Sequence, residues 1–340
     1  MTRSRDVADT QDNSGGAVAP VVAGKNAVIN GAFDIWQRGT SFTSASVYTA
    51  DRWFKGSQSS WTTSRQTSGL TGFQYAMRFQ RNSGNTSTVD CQMFYNIETI
   101  DALRFAGQTV TVSFYARAGA NFSASASQFS YIVYTGTGTD QRRDQSTGYT
   151  GEAQAANSST TITTSWQRFS FTATISSTAT EIALALGYTP TGTAGANDYV
   201  DITGVQLEVG SVATPFSRNG GTIQGELAAC QRYFQILGGD NVYEYFAIGA
   251  SSGANESNGV VNLKTTMRVA PTLTFTTASN FRIVEGTGAG VACTTVQADI
   301  ITKNTAGIQF VSTGNLTAYR ANRMTANNTT SATIQFSSEL

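Results

Sequence analysis

Residues 30–54 read NGAFDIWQRGTSFTSASVYTADRWF. Four aromatics, Phe33, Trp36, Phe42 and Trp53, sit among turn residues and the charged pairs Asp34/Arg38 and Asp51/Arg52. An apolar step of two from Phe33 to Ile35 leads into Trp36, and Gly31 and Gly39 bracket the run. This pattern predicts a short core strand that turns sharply at each end.

Working outward, period-two alternation recurs from Val28 to Phe216, broken repeatedly by turn residues. QTVTVSFYARAG (108–119) places Val110, Val112 and Phe114 on one face, and SWQRFSFTATI (165–175) does the same with Phe169, Phe171, Ala173 and Ile175. EIALALGY (181–188) aligns Ile182, Leu184, Leu186 and Tyr188. In YVDITGVQLEVG (199–210) the parity changes at Gly204, which predicts a bulge. Strand after strand without a helical period means two packed antiparallel sheets. The polar interval 135–165 has almost no apolar residues and predicts a protruding loop.

GTIQGELAACQRYFQIL (221–237) breaks the alternation. Ile223, Leu227, Cys230, Phe234 and Leu237 follow at steps of 4, 3, 4 and 3, the spacing of a helix that could line a shared axis in an oligomer or pack on its own sandwich. Gly238 and Gly239 end it. Strand-like runs then resume over 240–340, so the organisation is all-β. Residues 1–25 form an extended segment, 26–218 one β-sandwich domain, 219–239 a connecting helix and 240–340 a second β domain.

Composition sets the bounds. Charged residues make up 13 % of the 340, Gly numbers 33, and formal net charge is zero, so no general attraction to nucleic acid or an anionic membrane is expected. No stretch reaches the ~20 apolar residues of a membrane span, which predicts no membrane insertion. MTRSRDVADTQDNSGG lacks the apolar core of a secretion signal, so assembly in a cytoplasm is expected. Three distant cysteines, Cys91, Cys230 and Cys293, read as buried thiols rather than a disulfide framework. Histidine is absent, which removes Ser-His-Asp and Cys-His nucleophile systems and most zinc sites. No metal or cofactor is assigned.

Four blocks in this order resemble the tail fibres and tailspikes of bacteriophages. They are NGAFDIWQRGTSF with YTADRW; ITGVQLEVGSVATPF (202–216) leading into ELAACQRYF (226–234); MRVAPT (267–272); and ATIQFSSEL (332–340). RSRDVAD (3–9) is similar to the segment that opens many such fibres and attaches them to the virion. The resemblance implies a jelly roll similar to carbohydrate-binding modules, a short helix and a distal jelly-roll-like β domain, assembled as a homotrimer on the phage tail. Arg3, Arg5, Asp6, Val7 and Ala8 would hold a tail adaptor or nozzle protein, and the partner at the other end would be host surface polysaccharide. The other readings are a capsid decoration or cement protein and a glycan depolymerase.

Glycan recognition needs flat aromatic faces beside groups that bond hydroxyls. Trp61, Tyr134, Tyr149, Arg142 and Arg143 in the first domain, and Tyr243, Tyr245, Tyr319 and Arg320 in the second, are the candidates. Hydrolysis would need two facing carboxylates. Acidic residues such as Asp51, Asp90, Glu98, Asp101, Asp140, Asp144 and Glu152 show no spacing that pairs them, so binding without catalysis is expected.

Overall fold

A computed structural model describes residues 24–286 and 288–340. The expected anchor residues Arg3, Arg5, Asp6, Val7 and Ala8 lie outside the described residues. The chain divides into two compact units, one running to Leu227 and including Leu340, the other spanning Ala228–Glu339.

In the first unit the strands are β1 (Ser41–Phe42), β2 (Trp53–Lys55), β3 (Trp61–Thr67), β4 (Tyr75–Arg81), β5 (Cys91–Ile97), β6 (Thr109–Ala118), β7 (Gln128–Gly136), β8 (Ala153–Thr161), β9 (Gln167–Thr174), β10 (Glu181–Tyr188) and β11 (Tyr199–Val209). They form a six-stranded sheet, β1-β3-β4-β11-β6-β9, and a five-stranded sheet, β2-β5-β10-β7-β8. Apart from the β7–β8 hairpin, which stays in the five-stranded sheet, successive strands from β4 to β11 switch sheets, and the resulting orders 4-11-6-9 and 5-10-7-8 are those of an eight-stranded jelly roll. The core between the sheets holds the alternating residues read from the sequence, including Val110, Val112, Phe114, Ile182, Leu184, Leu186, Val200 and Ile202, all essentially inaccessible. The bulge on β11 lies where expected, between Thr203 and Gln206, and Gly204 takes φ +63° there.

The opening block corrects the expectation of a core strand. Phe33 is fully buried but adopts φ +55°, and it lies in irregular chain between turns at 29–32 and 37–38 rather than on a strand. Asn30 replaces the missing ladder. Its side chain accepts from Ile35 N (3.0 Å) and donates to the carbonyls of Ile35 (2.8 Å) and Asp51 (3.1 Å). The ion pairs also regroup. Asp34 meets Arg218 at 2.8 Å and Arg38 meets Asp51 at 3.9 Å, so both residues reach partners beyond the pairing Asp34/Arg38.

Two further corrections concern regions read as loop and helix. The interval 135–165 contains β8, paired antiparallel with β7 over its length. The helix spans only Ile223–Gln231. Phe234–Gly238 is instead strand β12, paired with β20 (Thr333–Ser337). The five-residue stripe is therefore broken. Phe234 and Leu237 belong to a sheet, Cys230 is buried, and Ile223 and Leu227 remain exposed.

The second unit is a closed barrel rather than a sandwich. Its strands are β13 (Tyr245–Ser251), β14 (Glu256–Asn262), β16 (Phe281–Glu285), β17 (Val291–Ile301), β18 (Thr305–Ser312) and β19 (Ala321–Ala326). They close in the order β13-β14-β18-β17-β16-β19, around Met267, Phe281, Ile283, Ile308, Phe310 and Met324. Beside the barrel, β15 (Thr272–Phe275) joins β12 and β20 in a three-stranded sheet, and Pro271 precedes it where no ladder N–H is needed.

One buried ion pair organises an end of the jelly roll. Arg81, 1 % exposed, meets the fully buried Asp198 at 3.0 Å. It also donates to the carbonyls of Asn85 (2.8 Å), Ser87 (2.9 Å), Thr191 (3.3 Å) and Gly192 (3.0 Å). Replacing it (Arg81→Met) strands a buried carboxylate, and we expect a loss of about 3–5 kcal/mol. The loss would be read as a lower urea midpoint with unchanged far-UV circular dichroism in buffer; an unmoved midpoint would refute this role.

Candidate functional site

The outer face of the five-stranded sheet is built from the residues that alternate with its core side chains. Register sets them in three cross-strand rows. The first is Gln92, Gly187, Ser130 and Ser159; the second is Phe94, Ala185, Ile132 and Asn157; the third is Asn96, Ala183, Tyr134 and Gln154. The central strand, β10, contributes only Gly187, Ala185 and Ala183, while its neighbours carry larger side chains. A valley therefore runs along β10. Gly187 admits nothing larger, since an added Cβ would lie 2.2 Å from the Cys91 carbonyl.

Residues 137–152 form a strap across one end of this valley. Asn96 holds it. The Asn96 side chain donates to Arg143 O (3.0 Å) and accepts from Arg143 N (2.7 Å) and the Tyr149 hydroxyl (2.7 Å). Asp144 accepts from Ser146 N (2.7 Å) and Thr147 N (2.9 Å), which fixes a turn. Arg143 pairs with Glu152 at 3.3 Å and lies 3.8 Å over the Tyr134 ring, and Arg142 lies 4.4 Å over Phe54.

Four sequence candidates thus converge on one face, though not as expected. Tyr134 and Tyr149 are buried under the strap, so neither offers a free ring to a sugar. Burial pushes both hydroxyls above the ordinary tyrosine range, and the Arg143 charge opposes it in each. Trp61 is corrected outright. It is fully buried, 5.6 Å from Phe79 and 4.7 Å from the Lys55 ammonium, which burial lowers to about 8. In the barrel unit all four candidates are exposed: Tyr243 precedes β13, Tyr245 is on it, and Tyr319 and Arg320 share the loop before β19.

The other end of the valley is open and polar. Asn157 and Ser159 are exposed, Gln92, Gln128 and Ser130 half-buried, and a hollow of about 250 Å³ is lined by Ala124, Ser125, Gln128, Ser130 and Thr189. Amides and hydroxyls over a floor of small residues can bond sugar hydroxyls from below. None of these residues stands out singly in the sequence. The usable signal was EIALALGY, whose buried Ile/Leu parity leaves Ala, Ala and Gly for the opposite face.

No protein-family model matches this sequence, and no curated protein matches it. Among solved structures, a CBM4 structure is 19 % identical, with TM-score 0.34 over 54 % of this chain and 100 % of that one. The CBM22-1 xylan-binding domain from Paenibacillus barcinonensis is 13 % identical, with TM-score 0.33 over 57 % of this chain and 100 % of its own. The enzymatically active domain of tailspike protein 4 from bacteriophage CBA120 is 11 % identical, with TM-score 0.34 over 54 % of this chain and 21 % of its own. These are likenesses of fold, and no site is carried over from them.

The strap root supplies a pH test. Glu181 is 1 % exposed and accepts from Gln141 N, and burial raises its pKa above the ordinary carboxylate value. A raised folded-state pKa adds stability below the unfolded value, which is lost as pH climbs through the folded one. Glu181→Gln should therefore flatten the fall in melting temperature between mildly acidic and neutral pH, leaving the variant at least as stable as wild type at pH 7. Parallel melting curves for the two proteins across that range would refute it.

Proposed function

We propose that this chain is a phage tail-fibre or tailspike protein that binds host surface glycan through the open end of the β10 valley, without catalysis. The observation that carries the binding reading is the valley itself: a floor of Gly187 and Ala185 flanked by Gln92, Gln128, Ser130, Asn157 and Ser159. The strap favours the end or a short stretch of a glycan, since a long chain laid along β10 would meet Arg143 and Tyr149. Acidic residues near the face are engaged structurally, which supports binding without bond cleavage. Asp144 fixes the strap turn, and Glu152 accepts from Tyr149 N (3.0 Å) while pairing with Arg143.

The virion role rests on the four sequence blocks and the RSRDVAD segment. The proposed assembly is a homotrimer, with Ile223 and Leu227 available on the short helix, 44 % and 36 % exposed. Weak single sites on three linked chains would bind avidly.

Ser130→Phe fills the hollow without touching the core. Binding of the purified protein to host envelope polysaccharide should weaken about tenfold or more, the equivalent of roughly 1.4 kcal/mol, with an unchanged melting temperature. Unaltered binding would remove this face from the argument. Sedimentation at micromolar concentration should give a species of three 36.0 kDa chains; a stable monomer would contradict the assembly.

A further inference from the structure

At one end of the barrel, loop 313–320 connects β18 to β19. Tyr319 in this loop is 88 % exposed and adopts φ +64°, a conformation that bulky L side chains rarely take. The loop does not drift into that shape; it is held there. Tyr319 N donates to Ser251 O (2.7 Å), Ser251 N to Arg320 O (3.0 Å) and Leu316 N to Ala254 O (2.9 Å), while the Leu316 side chain packs into the barrel core. A strained residue fixed by its surroundings, with its ring left in solvent, has no packing reason for the strain, and such outliers gather at binding sites.

The next residue, Arg320, lines a hollow of about 220 Å³ together with Ile283, Glu285, Asn315, Leu316 and Thr317 among others. This is below the ~300 Å³ at which drug-sized pockets begin, so it fits one small ring rather than an oligomer. Glu285 is oriented within it, accepting from Ser251 Oγ (2.7 Å) and Thr317 N (3.1 Å), with Arg320 at 4.0 Å. Behind it, Asn322 donates to Ser251 Oγ (2.8 Å) and accepts from Ser257 Oγ (2.7 Å), so the acceptor stands on a bonded support inside the barrel. Carboxylate and guanidinium together are formally neutral. They offer acceptors and donors to adjacent hydroxyls and give no net attraction to an anion.

We infer that the barrel mouth is a second glycan site, separate from the β10 valley, that takes a single neutral sugar residue at the end of a branch, with Glu285 and Arg320 bonding its hydroxyls and the Tyr319 ring covering its C–H face. The inference rests on the glycan-binding reading and places a further site within it.

Saturation-transfer NMR on the full chain tests it, with methyl glycosides of glucose, galactose, mannose, rhamnose and N-acetylglucosamine as probes. At least one should receive saturation from wild type and from Ser130→Phe. It should lose most of that signal, with affinity about tenfold lower, in Tyr319→Gly and in Arg320→Gln. Glycine takes the positive φ without strain, so Tyr319→Gly should melt no lower than wild type, which separates loss of the ring from loss of fold. Equal signals from wild type and both barrel variants would overturn the inference, as would silence from every probe while envelope polysaccharide still binds through the valley; the glycan-binding reading survives either result. Loss of polysaccharide binding altogether would remove both. Tyr319→Gly lowering the sedimenting mass with sugar contact unchanged would make the ring a subunit contact and overturn the second site.

Discussion

Strand β10 is buried at all eight of its positions, and the rest of the jelly roll is arranged around that constraint. On one face Ile182, Leu184 and Leu186 fill the space between the sheets. At roughly 1.5–3 kcal/mol per large apolar side chain removed from water, this inner face alone is a substantial part of the fold's driving force. The other face carries Glu181 at the strap root and then only Ala183, Ala185 and Gly187, so neighbouring strands and the strap must cover the backbone. Where the strap reaches, it brings aromatics and two arginines. Where it stops, the small residues leave a depression edged by amides and hydroxyls.

The strap explains how a segment so polar can be ordered. Residues 137–152 bury few apolar groups, yet Asn96, Asp144, Gln145 and Glu152 supply hydrogen bonds at close intervals, including Ser57 N to Gln145 Oε1 at 2.9 Å. The arginines lie over the Tyr134, Phe94 and Phe54 rings, where a planar guanidinium keeps its donors while covering a ring.

What could be read from the sequence follows from this division of labour. Strands facing a two-layer core announce themselves, because every second residue must be apolar, and β6, β9, β10 and β11 were legible on that basis. Strand β8 was not. It is an edge strand, AQAANSSTT, whose residues are mostly exposed, so its only signature is freedom from breakers. In the barrel, β17 is paired on both sides but is also mostly exposed, with Cys293 its one fully buried side chain, so its sequence carries no clear alternation either. The run YFQIL misled in the opposite sense, since its apolar spacing satisfies both a helical and an alternating period. The choice is made by β20, nearly a hundred residues later, which offers a ladder to Phe234–Gly238. Phe33 was misread because its positive φ reverses the facing that alternation assumes. Of the candidate site, the aromatic and charged members were visible as residue types, but their burial depended on a strap whose folding is written in side-chain hydrogen bonds. The Gln, Asn and Ser members have no sequence signature at all.

The Arg81 cage has a practical corollary. Its guanidinium draws together the peptide oxygens of two segments, 85–87 and 191–192, around a charge balanced by Asp198, the role a bound divalent cation takes in other scaffolds. Here the charge is covalently attached, so at this junction chelators and dilution have no ion to withdraw, and the loops it gathers keep their arrangement whatever the mineral content of the medium.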